Sequence, residues 1–369
     1  MTVSEEGGTL VNTNERLQSY FAAFRKKFEP ELTAYLDTKL MSIRAFDPVG
    51  EVLAGTIKDF IVGSGKRVRA TLTTLGYRIA GQETVADVFL PAIAIELLHS
   101  FFLIHDDIID RSDIRRHRPT VHRIFQQRYQ DTIEPISIEH FSNSMAILAG
   151  DLCCAMAYEA LARSNFPPER IIAAINCMHT IIDATVVGQS LDILKPFEKS
   201  VPEETIIKIH LLKTAKYTFE GPLHVGMILG GADVTLLRLI SNYAIPVGTA
   251  FQIQDDILGI FGSEKELGKP VSSDLEEGKQ TLLTVFVRTH GAYAQSEKLE
   301  SCLGKKRVSQ EDIDAVRNLM VESGALAYCE KYARNLVMQG KQSLDQLIIP
   351  EDIHTILYDL ADYVVDRTF

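Results

Sequence analysis

An all-α bundle is the fold class this sequence predicts, on three observations. From about Asn14 onward apolar residues recur at helical spacing almost without interruption, the pattern of one face of a 3.6-residue helix. Strand-like alternation bounded by turn pairs is nearly absent. Several helical runs are apolar on most faces, which places them inside a bundle rather than on its surface.

The elements follow in chain order. MTVSEEGGTLVNTN is acidic and has no apolar core segment, so residues 1–14 are expected to be a disordered tail and not a signal or transit peptide. ERLQSYFAAFRKKFEPELTAYLDTKL is amphipathic with the helical period. PAIAIELLHSFFLIHDDIID places Pro91 at a first helical position, where its missing N–H costs nothing, and continues for about five turns. SMAILAGDLCCAMAYEALARS, IIAAINCMHTIIDATVVGQSLDIL, EETIIKIHLLKTAKYTFEGPLHVGMILGG and LLRLISNYAIPVGTAFQIQDDILGIFG predict further helices. The breaks at Asn165-Phe-Pro-Pro and Val201-Pro have helix-loop character, and no long low-complexity linker divides the chain. Residues 15–369 are expected to form a single all-α domain.

Composition narrows the function. With 369 residues, 46% of them hydrophobic, the chain can bury a large core. Its net charge of −11, from 49 Asp+Glu against 38 Lys+Arg, argues against a general nucleic-acid surface. An anionic ligand must therefore be held by local basic clusters or through metal ions. The five cysteines (Cys153, Cys154, Cys177, Cys302, Cys329) are odd in number and none falls in a C-x-x-C pair. That suits a reducing compartment and argues against a disulfide frame or a zinc site. No apolar run approaches the ~20 residues of a membrane span. The expectation is a cytoplasmic protein with no membrane span.

The chemistry concentrates in LIHDDIIDRSDIRRHRPTVH, residues 103–122. On a helix Asp106 and Asp110 lie about 40° apart, with Asp107 about 60° beyond Asp110. All three then project from one side of a helix whose apolar lead-in points them at the mouth of a buried pocket. Adjacent carboxylates repel unless something positive sits between them. Clustered carboxylates without His or Cys ligands suit a hard cation such as Mg²⁺, which takes one or two carboxylates and borrows phosphate oxygens and waters for the rest. QIQDDILG echoes the pattern and puts Asp255 and Asp256 on a second acidic helix, one that could face the first across a central cavity. Four basic clusters interleave with these motifs: Lys66, Arg67 and Arg69 behind a Gly-Ser-Gly turn; Arg115 and Arg116; Lys213 beside Thr214; and Lys265, Lys269 and Lys279. Any one of them alone is an ordinary solvated face. Together, in an acidic protein, arginine forks and lysine point charges assemble a phosphate site. No Ser/His/Asp or Cys/His constellation accompanies them.

Taken in order, GKRVRA, ELLHSFFLIHDDIIDRSDIRRHRPTVH, AILAGD, GQSLD, KTAKYT, AFQIQDDILG and GKPVSSDLEEGKQT resemble the short-chain trans-prenyl diphosphate synthases, the farnesyl and geranylgeranyl diphosphate synthase (polyprenyl synthetase) family, over about residues 60 to 285. The resemblance implies an isoprenoid-synthase-type bundle of long helices around a deep central cavity, usually a homodimer. It implies head-to-tail condensation of isopentenyl diphosphate with an allylic diphosphate (dimethylallyl, geranyl or farnesyl), with three Mg²⁺ ions bound beside the allylic diphosphate. The metal ligands carried over are Asp106 and Asp110, with Asp107 in support, and Asp255 and Asp256 opposite. The catalytic set is Asp106, Asp107, Asp110, Arg115, Lys213 and Lys269. The allylic diphosphate would also meet Thr214, Gln252 and Lys279, and isopentenyl diphosphate a metal-free pocket of Lys66, Arg69, His99 and Arg116. Phe102, one turn before Asp106, would stand just deeper than the metals; Phe101 joins it on the family pattern alone. Two bulky residues there point to a C15 product, with C20 second.

Three departures stand out: Gly259 where many relatives carry a third Asp, His117 where the arginine pair is usually followed by Gly, and a longer segment between His122 and Ala146. The rivals are a class I terpene cyclase, which needs no isopentenyl pocket; a metal phosphohydrolase, suggested by His105-Asp106 but lacking its further His and Asp ligands; and an inactive regulatory subunit, whose aspartates should have eroded.

Overall fold

The computed structural model describes residues 13–62, 65–198, 200–263 and 271–367. Lys265 and Lys269, and all but the last two residues of the expected tail, lie outside the described residues. The helices are α1 (Thr13–Arg44), α2 (Pro48–Ile61), α3 (Val68–Ile79), α4 (Phe89–Ile109), α5 (Val121–Tyr129), α6 (Pro135–Ala162), α7 (Pro168–Leu194) and α8 (Glu203–Ile209). α8 continues through a π-helical stretch, His210–Glu220, into α9 (Gly221–Gly230), followed by α10 (Val234–Phe261). After a short turn, Ser273–Glu276, come α11 (Leu282–His290), α12 (Tyr293–Glu300), α13 (Gln310–Glu322), α14 (Ala325–Leu344) and α15 (Glu351–Asp366). Among the described residues the strand pairing is one small hairpin, Ile114–Arg115 against Arg118–Pro119.

Two helices organise the core. α4 runs along α6 and buries Leu97, Leu98 and Ile104 with Phe125 and Ala149. α10 runs along α14 and buries Tyr243, Val247 and Ala250 with Phe219 and Leu357. The buried Tyr243 hydroxyl donates to the Leu357 carbonyl at 2.6 Å, tying α10 to α15. Each organising helix ends in one of the two acidic motifs. The π stretch is wedged between α7 and α10 by close backbone approach. A side-chain carbon at Gly188 would stand 2.5 Å from the Lys213 nitrogen, and one at Gly248 2.7 Å from the Ala215 Cα. Only glycine admits both approaches.

Two sequence expectations change. α4 starts at Phe89, after a 3-10 turn at Val85–Val88, so Pro91 sits within the first turn rather than at its start; the first turn tolerates it because its N–H groups have no helical acceptor. The absence of a membrane-length apolar run also does not hold as stated. Among the described residues four helices, Val85–Ile109, Pro135–Ala162, Pro168–Phe197 and Val234–Phe261, are long and apolar enough to cross a membrane by length and composition alone. Scattered small polar residues broke the runs without lowering the average. In Val85–Ile109 67% of the apolar window is buried inside the protein, whereas in Pro168–Phe197 only 28% is.

Candidate active site

The three carboxylates at the end of α4 take different positions. Asp106 stands between two cations, with Arg115 Nη2 at 3.6 Å and Lys213 Nζ at 3.5 Å. Asp107 turns inward: its side chain is 1% exposed, and its Oδ1 accepts from Arg115 Nε at 2.7 Å while Oδ2 is buried with no partner. Ideal helix geometry set all three on one side; Asp107 lies at the edge of that face, where the Arg115 hairpin closes over it. Asp110 ends the helix, half-buried. Burial, and then the charge of Asp106, push its pKa up to about 8, and burial pushes Asp107 to about 6 against the pull of Arg115. Carboxylates that keep protons near neutrality lack positive charge.

The second motif divides the same way. Asp256 is 3% exposed and saturated by the protein. His210 Nε2 lies 3.0 Å from Oδ2, while Gln252 Nε2 and Lys279 Nζ reach Oδ1 at 3.0 and 3.4 Å. A carboxylate only accepts, so the His210 proton is on Nε2. Burial raises the Asp256 pKa, but Lys279 and His210 outweigh it and hold the group well below the ordinary range. Asp255 keeps a 38% exposed side chain and pairs with Arg367 at 2.7 Å. Asp106, Asp110 and Asp255 thus stay partly exposed, while Asp107 and Asp256 are buried in the frame.

Lys213 and Thr214 link the two motifs from the π stretch; such segments are frequent at functional sites. Lys213 Nζ pairs with Asp192 at 2.7 Å as well as reaching Asp106, and Thr214 Oγ1 donates to Gln252 Oε1 at 2.6 Å. Burial opposes the Lys213 charge, but Asp106 and Asp192 more than restore it. A small cleft lies between Asp192, His210, Lys213, Thr214, Gln252 and Lys279.

Mg²⁺ fits this donor set. The available ligands are carboxylates, Asp110 is short of positive charge, and among the described residues no three acidic, His or Cys groups enclose an ion on their own. A hard cation that draws its remaining ligands from phosphate and water is what such an incomplete shell can hold.

Beside the metal site lies a basic pocket. Arg69 Nη1 approaches His99 Nε2 at 3.2 Å, and its Nη2 donates to Tyr217 Oη and Thr218 Oγ1, both at 2.7 Å. Tyr217 Oη closes the ring on His99 Nδ1 at 3.0 Å. Arg69 Nε is buried without a partner, a donor that an anion oxygen would satisfy. Arg116 arrives from the hairpin and packs on Gly65, where an added side-chain carbon would lie 3.2 Å from its Nη1. Lys66, exposed, touches the Tyr363 hydroxyl. Burial and then Arg69, Arg116 and Arg115 drive the His99 pKa well down, and burial and Arg115 lower Arg116 itself. The pocket is over-supplied with positive charge. Of the four residues expected together, Arg69, His99 and Arg116 share this pocket, while Lys66 contacts Tyr363 instead.

Phe101 and Phe102 lie half-buried one turn below the acids. Their ring centroids are 4.9 Å apart, Phe102 meets Tyr217 edge-on at 5.2 Å, and Phe101 meets His105 at 4.8 Å. Two departures also find a physical account. A side-chain carbon at Gly259 would stand 2.3 Å from Asp274 Oδ2, so the buried Asp274 carboxylate occupies the space a third acid would need. Arg116 and His117, at φ 52° and 62°, form a two-residue hairpin turn of the left-handed kind that glycine favours. The segment from His122 to Ala146 forms α5 and the first turns of α6, with the Tyr129 ring 5.1 Å from that of Phe141.

Sequence reasoning passed over Asp192 and Tyr217, although both sit in the motifs GQSLD and KTAKYT; only the partners fixed by the fold reveal them. His210 and Arg367 carry no local signal at all, and Lys269 lies outside the described residues.

The family model described as polyprenyl synthetase matches residues 51–320. Similar sequences include the geranylgeranyl diphosphate synthase of Methanosarcina mazei, 32% identical over 83% of this chain and 86% of that protein. The (2E,6E)-farnesyl diphosphate synthase of Mycobacterium bovis is 31% identical over 82% of this chain and 80% of that protein. Among solved structures, geranylgeranyl pyrophosphate synthase from Corynebacterium glutamicum, complexed with isoprenyl diphosphate and magnesium, superposes with a TM-score of 0.88 at 29% identity, over 94% of this chain and 99% of that one. Two acidic helices facing across a lysine-bearing π stretch, on an all-α bundle with these relatives, make the chain a member of the polyprenyl synthetase family and an enzyme of the trans-prenyltransferase class.

Proposed function

We propose that this chain condenses isopentenyl diphosphate with a short allylic diphosphate, dimethylallyl or geranyl, to give a trans product of C15. The reading is carried by one juxtaposition: a metal-type carboxylate site and a separate, over-cationic pocket around neutral His99, on either side of Lys213 and Tyr217. A terpene cyclase has no use for the second pocket. In our assignment Asp106, Asp110 and Asp255 hold the metal ions, while Asp107 and Asp256 act indirectly by fixing Arg115, Gln252 and Lys279. When bound, Mg²⁺ draws electron density from the diphosphate and offsets its charge. Lys213 and Arg115 stand where that charge grows as the allylic C–O bond breaks, a preorganised stabilisation of the leaving group. Lys66, Arg69, His99 and Arg116 orient the isopentenyl diphosphate so that its double bond faces the allylic carbon, and the proton then lost goes to the departing diphosphate. The apolar walls keep water from the allylic cation.

Phe102 carries the length assignment: its ring, one turn before Asp106 and in contact with Phe101 and Tyr217, would limit a tail growing past it. C20 is the second reading, because relatives of nearly equal identity are named for C20 and C15 products. The exposed apolar residues of α7 support a homodimer, and five free thiols suit the cytosol. The deciding experiment incubates the protein with isopentenyl diphosphate, each allylic diphosphate in turn and Mg²⁺, and measures product length. C15 as the end product supports the reading; no condensation with any allylic partner sinks it.

A further inference from the structure

Arg67 sits in the middle of the basic GKRVRA turn yet faces away from the pocket. It is 5% exposed, with a left-handed backbone at φ 56°. Its guanidinium is filled by protein acceptors. Nε and Nη2 donate to the two oxygens of Glu29 at 2.8 and 3.3 Å, Nη1 to Glu96 Oε2 at 3.0 Å, and Nη2 also to the Ile61 carbonyl at 2.7 Å. Glu96 is itself 4% exposed, and its other oxygen accepts from the Ala70 backbone N–H at 3.2 Å, in the first turn of α3. One buried carboxylate on α4 therefore grips both the arginine and the start of the next helix.

We propose that Arg67 is a positioning residue for the isopentenyl diphosphate pocket, with Glu96 as its fulcrum and Glu29 of α1 as its brace. The proposal rests on the function put forward above. A left-handed backbone disfavours any residue other than glycine, so this turn holds only if something else fixes it. The ion pairs fix it. With Arg67 anchored inward, Lys66 and Arg69 on either side of it reach other partners, Lys66 the Tyr363 hydroxyl and Arg69 the His99, Tyr217 and Thr218 side chains of the pocket. Glu96 also lies one helical turn before His99, so the same carboxylate sets the distance between α3, which carries Arg69, and α4, which carries His99. Glu96 also reaches the pocket electrostatically, its charge supporting that of Arg116 against burial and the neighbouring arginines.

The test uses Arg67→Lys, which keeps the charge but loses the planar fork, and Glu96→Gln, which keeps the shape but loses the charge. A ~1 Å misplacement of binding groups can cost on the order of 10²-fold. Each variant should therefore raise the KM for isopentenyl diphosphate about tenfold or more. kcat and the allylic KM should stay within about threefold, since Lys213 and the acidic motifs are untouched. Calorimetric affinity for inorganic pyrophosphate in metal-free buffer, where only the basic pocket binds, should fall by a similar factor. Because the two residues act as one unit, the double variant should be little worse than the worse single. A merely structural role would lower melting temperature and active fraction while leaving both KM values unchanged. If either buried variant fails to fold, Glu29→Gln decides: the Glu29 side chain is 30% exposed, and the variant should show the same selective rise at smaller size. Unchanged pyrophosphate affinity and isopentenyl KM in any folded variant overturns the proposal. Wild-type protein that binds pyrophosphate but condenses nothing would instead overturn the functional reading, and the pyrophosphate arm would still judge Arg67.

Discussion

Asp110 shows at the scale of one residue what gathering acids at a helix end does. Its pKa of about 8 in the folded chain lies far above an ordinary carboxyl. The folded protein therefore holds this proton more tightly than the unfolded chain does. Below the ordinary carboxyl range the group contributes no difference; as pH climbs from there to about 8 the metal-free fold is progressively disfavoured, and above that the penalty is constant. Asp110→Asn should accordingly raise the melting temperature of metal-free protein most at pH 8 and hardly at all near pH 4, while lowering turnover. Melting curves across pH, with and without Mg²⁺ and pyrophosphate, check it; an equal gain at both pH values would contradict a titrating carboxyl as the origin of the penalty. The carboxylates assigned to the metals give a second expectation. Asp106→Ala and Asp255→Ala should each cost at least ~10³-fold in turnover, about 4 kcal/mol of transition-state stabilisation. EDTA should abolish activity and Mg²⁺ restore it. Full activity in chelator would remove the metal from the mechanism.

Elements explain what single residues do not. The hairpin that delivers Arg115 and Arg116 turns on two left-handed residues, and His117 is the one with no contact assigned to the pocket. His117→Gly should stabilise the protein by about 1 kcal/mol, the relief of a left-handed side chain, with kinetics unchanged; a lower melting temperature would show that the imidazole has a structural role. α4 carries the other element-scale expectation. Phe102 meets Tyr217 on the π stretch, and Phe101 backs it. Phe101→Ala together with Phe102→Ala opens room for at least one more isoprene unit, and buried-ring truncation costs several kcal/mol, about 3–5 for a fully buried Phe. The double variant should melt earlier and make longer chains. Unchanged product length in folded protein would place the cavity floor on another helix. Helix existence was legible because period and apolarity are local properties, and so, through the family motifs, was the grouping of Arg69, His99 and Arg116, though not the contact of Lys66 with Tyr363. The π winding of His210–Glu220 was not, since an ordinary helix and a π stretch share the same apolar spacing. Nor was the inward turn of Asp107 and Asp256, which depends on Arg115, His210 and Lys279 arriving from elsewhere in the chain.

At the scale of the molecule, apolar periodicity says that a helix face is to be covered but not by what. Apolar helices are expected to be interior, and α4 and α10 are. α7 is not: Ile172, Val186, Val187 and Leu194 are 50 to 59% exposed, and at 100° per residue they fall within about 60° of one line along the helix. α6 runs beside it, with Tyr158 hydrogen-bonded to His179 at 3.1 Å. If the pair is followed antiparallel from that contact, Ile147 and Leu148, 45 and 53% exposed, come level with Val186 to Leu194. An apolar stripe shared by two helices is more than scattered surface residues, and a second copy meeting it about a two-fold axis would hide it on both chains at once. Charge works against this pairing, because each chain brings −11; association should therefore tighten with salt, as screening removes the repulsion. Sedimentation velocity should find a dimer for the wild type, more so at high ionic strength. Val187→Glu combined with Leu148→Glu, which places four new charges inside a two-fold contact, should give a monomer. A wild-type monomer at ~10 µM, far above the Kd of a standard-sized interface, or a variant that stays dimeric, would clear this face of the role. Binding of the wild type to lipid vesicles, with no change of mass in solution, would assign the stripe to a membrane surface instead.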